Sequence, residues 1–164
     1  MRKYIICSDI HGRSENLKQL LADEQDADGL IIAGDLELDP DVIADLVYRN
    51  YMNDCPIHAV SGNCDSYNPA AQRLRPIDVF DIAGGNRVFL THGNRYGVPG
   101  TDVLSYAAEE QGCNIVIFGH THMFFCEREA GILFINPGAL KSFEYAIMTV
   151  SDDGSVSVER KSIR

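Results

Sequence analysis

The amino-acid sequence predicts an α/β sandwich, with helices outside packed sheets. Three observations predict it. Short apolar runs rich in Ile and Val recur along the chain, amphipathic helical patterns separate them in the front part, and the rear third reads as strand after strand. Continuous runs this short mark strands buried on both faces.

The first strand is the run YIIC at residues 4–7. Ser14 then stands as a helix N-cap before an apolar stripe of Leu17, Leu20 and Leu21. LIIA at 30–33 gives the second strand. Asp39-Pro40, a cap followed by proline at the first helical position, opens a second helix with the stripe Val42, Ile43, Leu46 and Val47. Ala59 and Val60 end a short third strand, and VFL at 88–90 makes the next. Thr101 starts and Gly112 stops a third helix carrying Val103, Leu104, Ala107 and Ala108. IVIF at 115–118 is again a strand. Segments 133–135, 145–150 and 155–160 follow, the last two joined by a tight Asp153-Gly154 turn. The front is therefore βαβα and the rear mostly β.

At 164 residues, 45% hydrophobic and 23% charged, the chain reads as one ordinary globular domain spanning 1–164. No apolar run approaches the ~20 residues that cross a bilayer. The opening MRKYIICSDIHG has an apolar run soon broken by Asp9, which predicts a strand entering the fold at once, no signal peptide and a cytoplasmic location. The five cysteines are odd in number and form no CxxC pair, so neither a disulfide framework nor a zinc ribbon is expected. Apart from Cys64 they read as small buried hydrophobes. A net charge of −10, from 14 basic against 24 acidic residues, argues against nucleic-acid and anionic-membrane partners. An anionic substrate would then need a local reversal of sign.

The chemistry gathers where the apolar runs end. They are followed by Ser8-Asp9-Ile10-His11-Gly12, Gly34-Asp35-Leu36, Ser61-Gly62-Asn63-Cys64-Asp65, Thr91-His92-Gly93 and Gly119-His120-Thr121-His122. In α/β sheets ligands bind beyond the carboxyl ends of strands. Asp9, His11, Asp35, Asn63, His92, His120 and His122 are thus delivered to one rim. Carboxylate, imidazole and amide oxygen suit divalent Mn, Fe, Co, Ni or Zn. Seven donors are too many for one such ion and fit two that share a bridging group, for which Asp35, alone on its loop, is the natural choice.

The series DIHG, GDL, GNCD, THG and GHTH, in that order, resembles the calcineurin-like metallophosphoesterases, in particular their small single-domain bacterial and archaeal phosphodiesterase branch. The resemblance runs from Asp9 to the Asn136-Pro137-Gly138 turn. It implies a four-layer α/β/β/α sandwich of the metallophosphoesterase type, with mixed sheets. It also implies two metal ions, Mn foremost, one held by Asp9, His11, Asp35 and His122 and the other by Asp35, Asn63, His92 and His120. The implied reaction is attack of a metal-bridging hydroxide on a small phosphate ester, with Asp35, Asn63, Cys64, Asp65 and His92 at the catalytic centre. Two divalent cations outweigh the charges of Asp9 and Asp35, so such a centre holds phosphate even in an acidic protein.

The pattern departs at Cys64. Strong phosphatases of the family have histidine after the metal-binding asparagine, acting as general acid, and a thiol is a weak hydrogen-bond donor. The expectation is a preference for phosphodiesters and good leaving groups over alkyl monoesters. Asp65, which orients that histidine in the family, here caps or braces the loop. Ala139 stands where the family often has serine, a change confined to the turn. Arg13, Asn94 and Arg95 lie beside motifs, within reach of a substrate phosphate or simply solvated. His58 matches no motif, and Tyr67 and Phe124 read as core packing. Specificity is expected from loops near 64–75 and 94–101. The alternative function is a non-catalytic scaffold on the same fold, as in the retromer subunit that resembles these enzymes; retention of all seven donors favours the enzyme. A homodimer is the default assembly.

Overall fold

The computed structural model describes residues 1–51 and 54–163. Its first sheet contains β1 (Arg2–Cys7), β2 (Gly29–Ile32), β3 (Ile57–Ala59), β9 (Glu144–Val150) and β10 (Val156–Ser162). Its second contains β4 (Ile77–Ile82), β5 (Asn86–Thr91), β6 (Ile115–Ile117), β7 (Phe124–Glu129) and β8 (Ile132–Pro137). The helices are α1 (Ser14–Asp23), α2 (Pro40–Asn50) and α3 (Asp102–Glu110). Strand order is β10-β9-β1-β2-β3 in one sheet and β4-β5-β6-β8-β7 in the other. Both are mixed: β1 pairs parallel with β2 and antiparallel with β9, while β6 lies parallel to β5 and β8.

The two-residue period of the strands sorts their side chains into layers. Ile5, Cys7, Leu30, Ile32, Tyr145 and Ile147 face α1 and α2. The alternate residues Ile6, Ile31, Ala146 and Met148 pack on Val88, Leu90, Ile115, Ile117 and Ile135 from the second sheet. On that sheet's far side, Phe89, Val116 and Phe134 meet Leu104 and Ala108 of α3. The result is the predicted α/β/β/α order of layers. It also explains why the runs were uninterrupted: both faces of the central strands are core.

Several local expectations are corrected. Ser14 lies inside α1, whose cap position is Arg13 with no side-chain cap. Thr101 does stand at the N-cap of α3, as expected, but its hydroxyl makes no cap bond and donates to Glu129 Oε2 at 2.7 Å. Asp39 does cap α2, accepting from Asp41 N at 2.9 Å. Val42 and Val103, assigned to buried stripes, are exposed. The last hairpin turns through five residues, 151–155, where Ser155 N–H donates to Asp153 and Gly154 takes a positive φ. Tyr67 is 90% exposed and packs in no core, whereas Phe124 joins the layer between the sheets. His58 stacks on Phe80 and faces Asp78 Oδ2 at 3.3 Å, apart from the motif residues. Cys7, Cys55 and Cys113 are buried thiols, and Cys126 packs against the intersheet layer.

Candidate metal centre

Three strand ends use one backbone device. Asp9 and His11 after β1, Asp35 and Glu37 after β2, and His120 and His122 after β6 all have positive φ, between 48° and 69°. Few residues other than glycine adopt this left-handed region, and each instance costs of order 1 kcal/mol or more. In each pair the residues stand at i and i+2. In the first two, the residue between them, Ile10 or Leu36, is fully buried in the core under α1 and α2. The core anchors the middle of the loop while its neighbours go to the rim. The first two loops are also laced together, His11 N–H donating to Asp35 O and Gly12 N–H to Leu36 O.

The side chains converge. Asp9 Oδ1 lies 3.1 Å from His122 Nε2, 3.5 Å from His11 Nε2 and 3.9 Å from His92 Nε2. Asp35 Oδ2 lies 3.1 Å from His92 Nε2 and 3.8 Å from His11 Nε2. Asn63 Oδ1 is 3.2 Å from His120 Nδ1, and the His92 and His120 rings meet edge to face at 5.2 Å. All seven predicted donors therefore stand in one continuous cluster. Spacings of about 3–4 Å are those of neighbouring donors around one ion with bonds of about 2.0–2.2 Å.

Two atoms test the fit to a cation. His92 Nδ1 donates to Ala33 O at 2.7 Å, which commits its other nitrogen, Nε2, to a lone pair in the neutral ring. That Nε2 is buried without a hydrogen bond among the described residues, although Asp35 Oδ2 is near; two electron-rich atoms at that range require a proton or a cation between them. His11 repeats the pattern, with Nδ1 on Glu37 Oε1 at 2.5 Å and Nε2 buried and unpartnered. Burial opposes charge on both Asp35 and His92. Their mutual attraction outweighs it, raising the His92 pKa and, with the Cys64 N–H, holding the Asp35 carboxyl down at about 2. The groups Asp9, His11, His122 and Asp9, Asp35, His92 each present donors mutually close enough to bind a metal ion.

The sequence profile of the calcineurin-like phosphoesterase superfamily domain matches residues 2–153. The chain belongs to that superfamily. It is 31% identical to the probable metallophosphoesterase YsnB of Bacillus subtilis over 159 residues, covering 92% of this chain and 86% of that protein. It is 29% identical to the phosphodiesterase YfcE of Escherichia coli K12, covering 85% and 80%. In fold it is similar to Vps29 of Chaetomium thermophilum, with a TM-score of 0.73 over 99% of this chain and 96% of that one, at 17% identity.

In this phosphoesterase the loop after β3 reaches the centre through Cys64 and Asn63. Cys64 N–H donates to Asp35 Oδ1 at 2.8 Å, and its thiol lies with donors of His11 and Asp35 inside one group able to bind a metal. Burial first, and then the Asp35 carboxylate, push that thiol up to about 11, so it is protonated at neutral pH. Asp65 is buried. Its carboxylate accepts from the N–H groups of Leu36, Glu37 and Gly62, bracing the Asp35 loop. Two glycines permit the close approach. A Cβ on Gly62 would sit 2.2 Å from Asp35 Oδ1, and one on Gly119 would sit 2.0 Å from Ser8 Oγ.

Sequence reasoning passed over three supporting residues. Ser8 Oγ donates to Asp9 Oδ2 at 2.7 Å. Asn136 Nδ2 donates to Gly119 O and Thr121 Oγ1, holding the two-histidine loop. Glu37 orients His11, and its signal was present: Asp-Leu-Glu repeats the spacing of Asp-Ile-His and His-Thr-His. Beside Asn63 opens a cleft of about 500 Å³, bounded by residues 61–77 and 91–96. The lining overlaps the loops near 64–75 and 94–101 from which specificity is expected, but takes nothing from 97–101. No helix among the described residues is long and apolar enough to cross a membrane.

Proposed function

We propose that this phosphoesterase is a dinuclear metal-dependent phosphodiesterase acting on small phosphate esters. The observation that carries the reading is the convergence of seven donors from five strand ends, with two buried imidazole nitrogens that have no hydrogen-bond partner among the described residues. Asp9, His11, Asp35 and His122 would hold one divalent cation; Asp35, Asn63, His92 and His120 would hold the second. Mn suits the oxygen share of this set, and Fe, Co, Ni or Zn are also compatible. When bound, the two ions supply Lewis acidity at the phosphoryl oxygens and lower the pKa of a shared water, making in-line hydrolysis accessible near neutral pH.

The chain's own groups set the rest. Ala33 O fixes the His92 tautomer and Glu37 fixes that of His11, so each presents a lone pair to the centre. Asp65 and the Cys64 N–H position Asp35. The protonated Cys64 thiol gives the leaving group only weak assistance, which favours diesters and good leaving groups. The likeness to phosphodiesterase YfcE supports the same preference. A cytoplasmic homodimer free of nucleic acid completes the reading.

The test is hydrolysis of bis(4-nitrophenyl) phosphate with added Mn²⁺, using Asp35→Ala as control. Turnover that needs both metal and Asp35 is expected. A folded wild-type chain that shows none would favour the second reading, a binding scaffold, which the fold shared with Vps29 and the missing histidine at Cys64 support.

A further inference from the structure

Resting on the phosphodiesterase reading, we propose that the cleft beside Asn63 seats the second arm of the ester, and that Arg95 at its mouth selects arms ending in an anionic group. The cleft starts at Gly62 and Asn63 and ends at Asn94, Arg95 and Tyr96, just beyond His92. It therefore opens from the half of the centre where Asn63 and His92 stand. A phosphoryl group held there has two ester arms, and the cleft offers one of them a bounded path away from the carboxylates.

The walls are built in place. Ser61 N–H donates to Arg75 O at 3.0 Å, Thr91 Oγ1 to Pro76 O at 3.1 Å and Gln72 Nε2 to Ser66 O at 3.0 Å. Both sides are thereby tied to strand ends or to each other, as in a preformed site. Ala71, Leu74, Pro76 and Ile77 give the cleft an apolar side, and Tyr96 faces it with a ring set edge-on to Phe89 at 6.0 Å. An apolar or aromatic body sheds water on such a surface.

Among the described residues, the lining carries two charged ones, Asp65 and Arg95. Asp65 is 1% exposed and its carboxylate is saturated by three backbone N–H groups. Arg95 is exposed and makes no ion pair among the described residues. A cation without an acidic partner, in a chain where acids outnumber bases 24 to 14, leaves the mouth locally positive. Its planar fork matches carboxylate and phosphate oxygens. The substrate class is thus an organic phosphodiester whose second arm has an apolar or aromatic body and a terminal carboxylate or phosphate.

Two probes that both release nitrophenolate test this: 4-nitrophenyl phenyl phosphate and its counterpart with a carboxylate on the phenyl ring. The Mn²⁺-loaded wild type is expected to favour the carboxylated probe in kcat/KM by about fivefold, through KM, the size of a partly exposed ion pair. Arg95→Ala should bring the ratio of the probes to about one, and Arg95→Glu below one. If the wild type turns over both probes equally, or Arg95→Ala keeps the preference, the cleft proposal fails and the phosphodiesterase reading stands. If neither probe is hydrolysed, that reading falls and takes the cleft proposal with it.

Discussion

Glu37, two residues beyond Asp35, and Cys64, whose N–H donates to Asp35 Oδ1, are proposed to set different properties of the centre. Glu37 accepts from His11 Nδ1, which keeps the His11 ring turned and makes its free nitrogen more basic. Glu37→Gln should weaken Mn²⁺ binding by about tenfold in calorimetric titration while leaving the fold intact; unchanged affinity would reduce Glu37 to a loop acid. The role proposed for Cys64 concerns the leaving group. With its thiol beside Asp35 and protonated, an imidazole at this place would be a far better acid. Cys64→His should raise turnover of unactivated alkyl phosphates by about tenfold or more, with smaller effect on nitrophenyl esters. No gain on the alkyl esters would show that position 64 does not face the leaving group.

The strand-end loops were legible at the element scale because their residue types are unusual: two carboxylates and four histidines directly after apolar runs. The central strands were legible because they are buried on both faces. The strands that escaped notice, β4 and β7, are the edges of the second sheet. There Asp78, Asp81, Glu127 and Glu129 interrupt the apolar pattern, as edge strands require. Asp39 and Thr101 stand at the N-caps the sequence predicts, whereas Ser14 lies one residue inside α1, whose cap position is Arg13. A buried ion cluster was also invisible in sequence. Glu24, at the end of α1, meets Lys3 of β1 at 2.8 Å, Lys161 of β10 at 2.5 Å and the Tyr145 hydroxyl at 2.8 Å. Burial opposes its charge, but those partners lower its pKa below the ordinary 4.5. A depressed carboxyl stabilises the fold above that value and loses its contribution as pH falls through the lower folded pKa. Glu24→Gln should therefore cost about 2 kcal/mol at pH 6 in urea unfolding, the size of hydrogen bonds to a charged group whose partners are partly exposed. The gap to wild type should shrink below about pH 4, and a gap independent of pH would contradict this account of the cluster.

For the whole molecule, the acidic surface and the proposed anionic substrate are reconciled only if the rim carries cations. The fold supplies the place: two sheets packed face to face bring their carboxyl ends to one edge, with Asp9 and Asp35 from the first sheet and His92, His120 and His122 from the second. The strained backbone at six rim residues and the two unpartnered imidazole nitrogens are costs that bound metal would offset. The most direct test is metal stoichiometry, measured by Mn²⁺ titration with elemental analysis of the washed protein. Two equivalents per chain are expected for the wild type, falling to one or none in Asp35→Ala. A wild type that retains one equivalent or none, or an Asp35→Ala chain that still holds two, would contradict a paired centre bridged by Asp35.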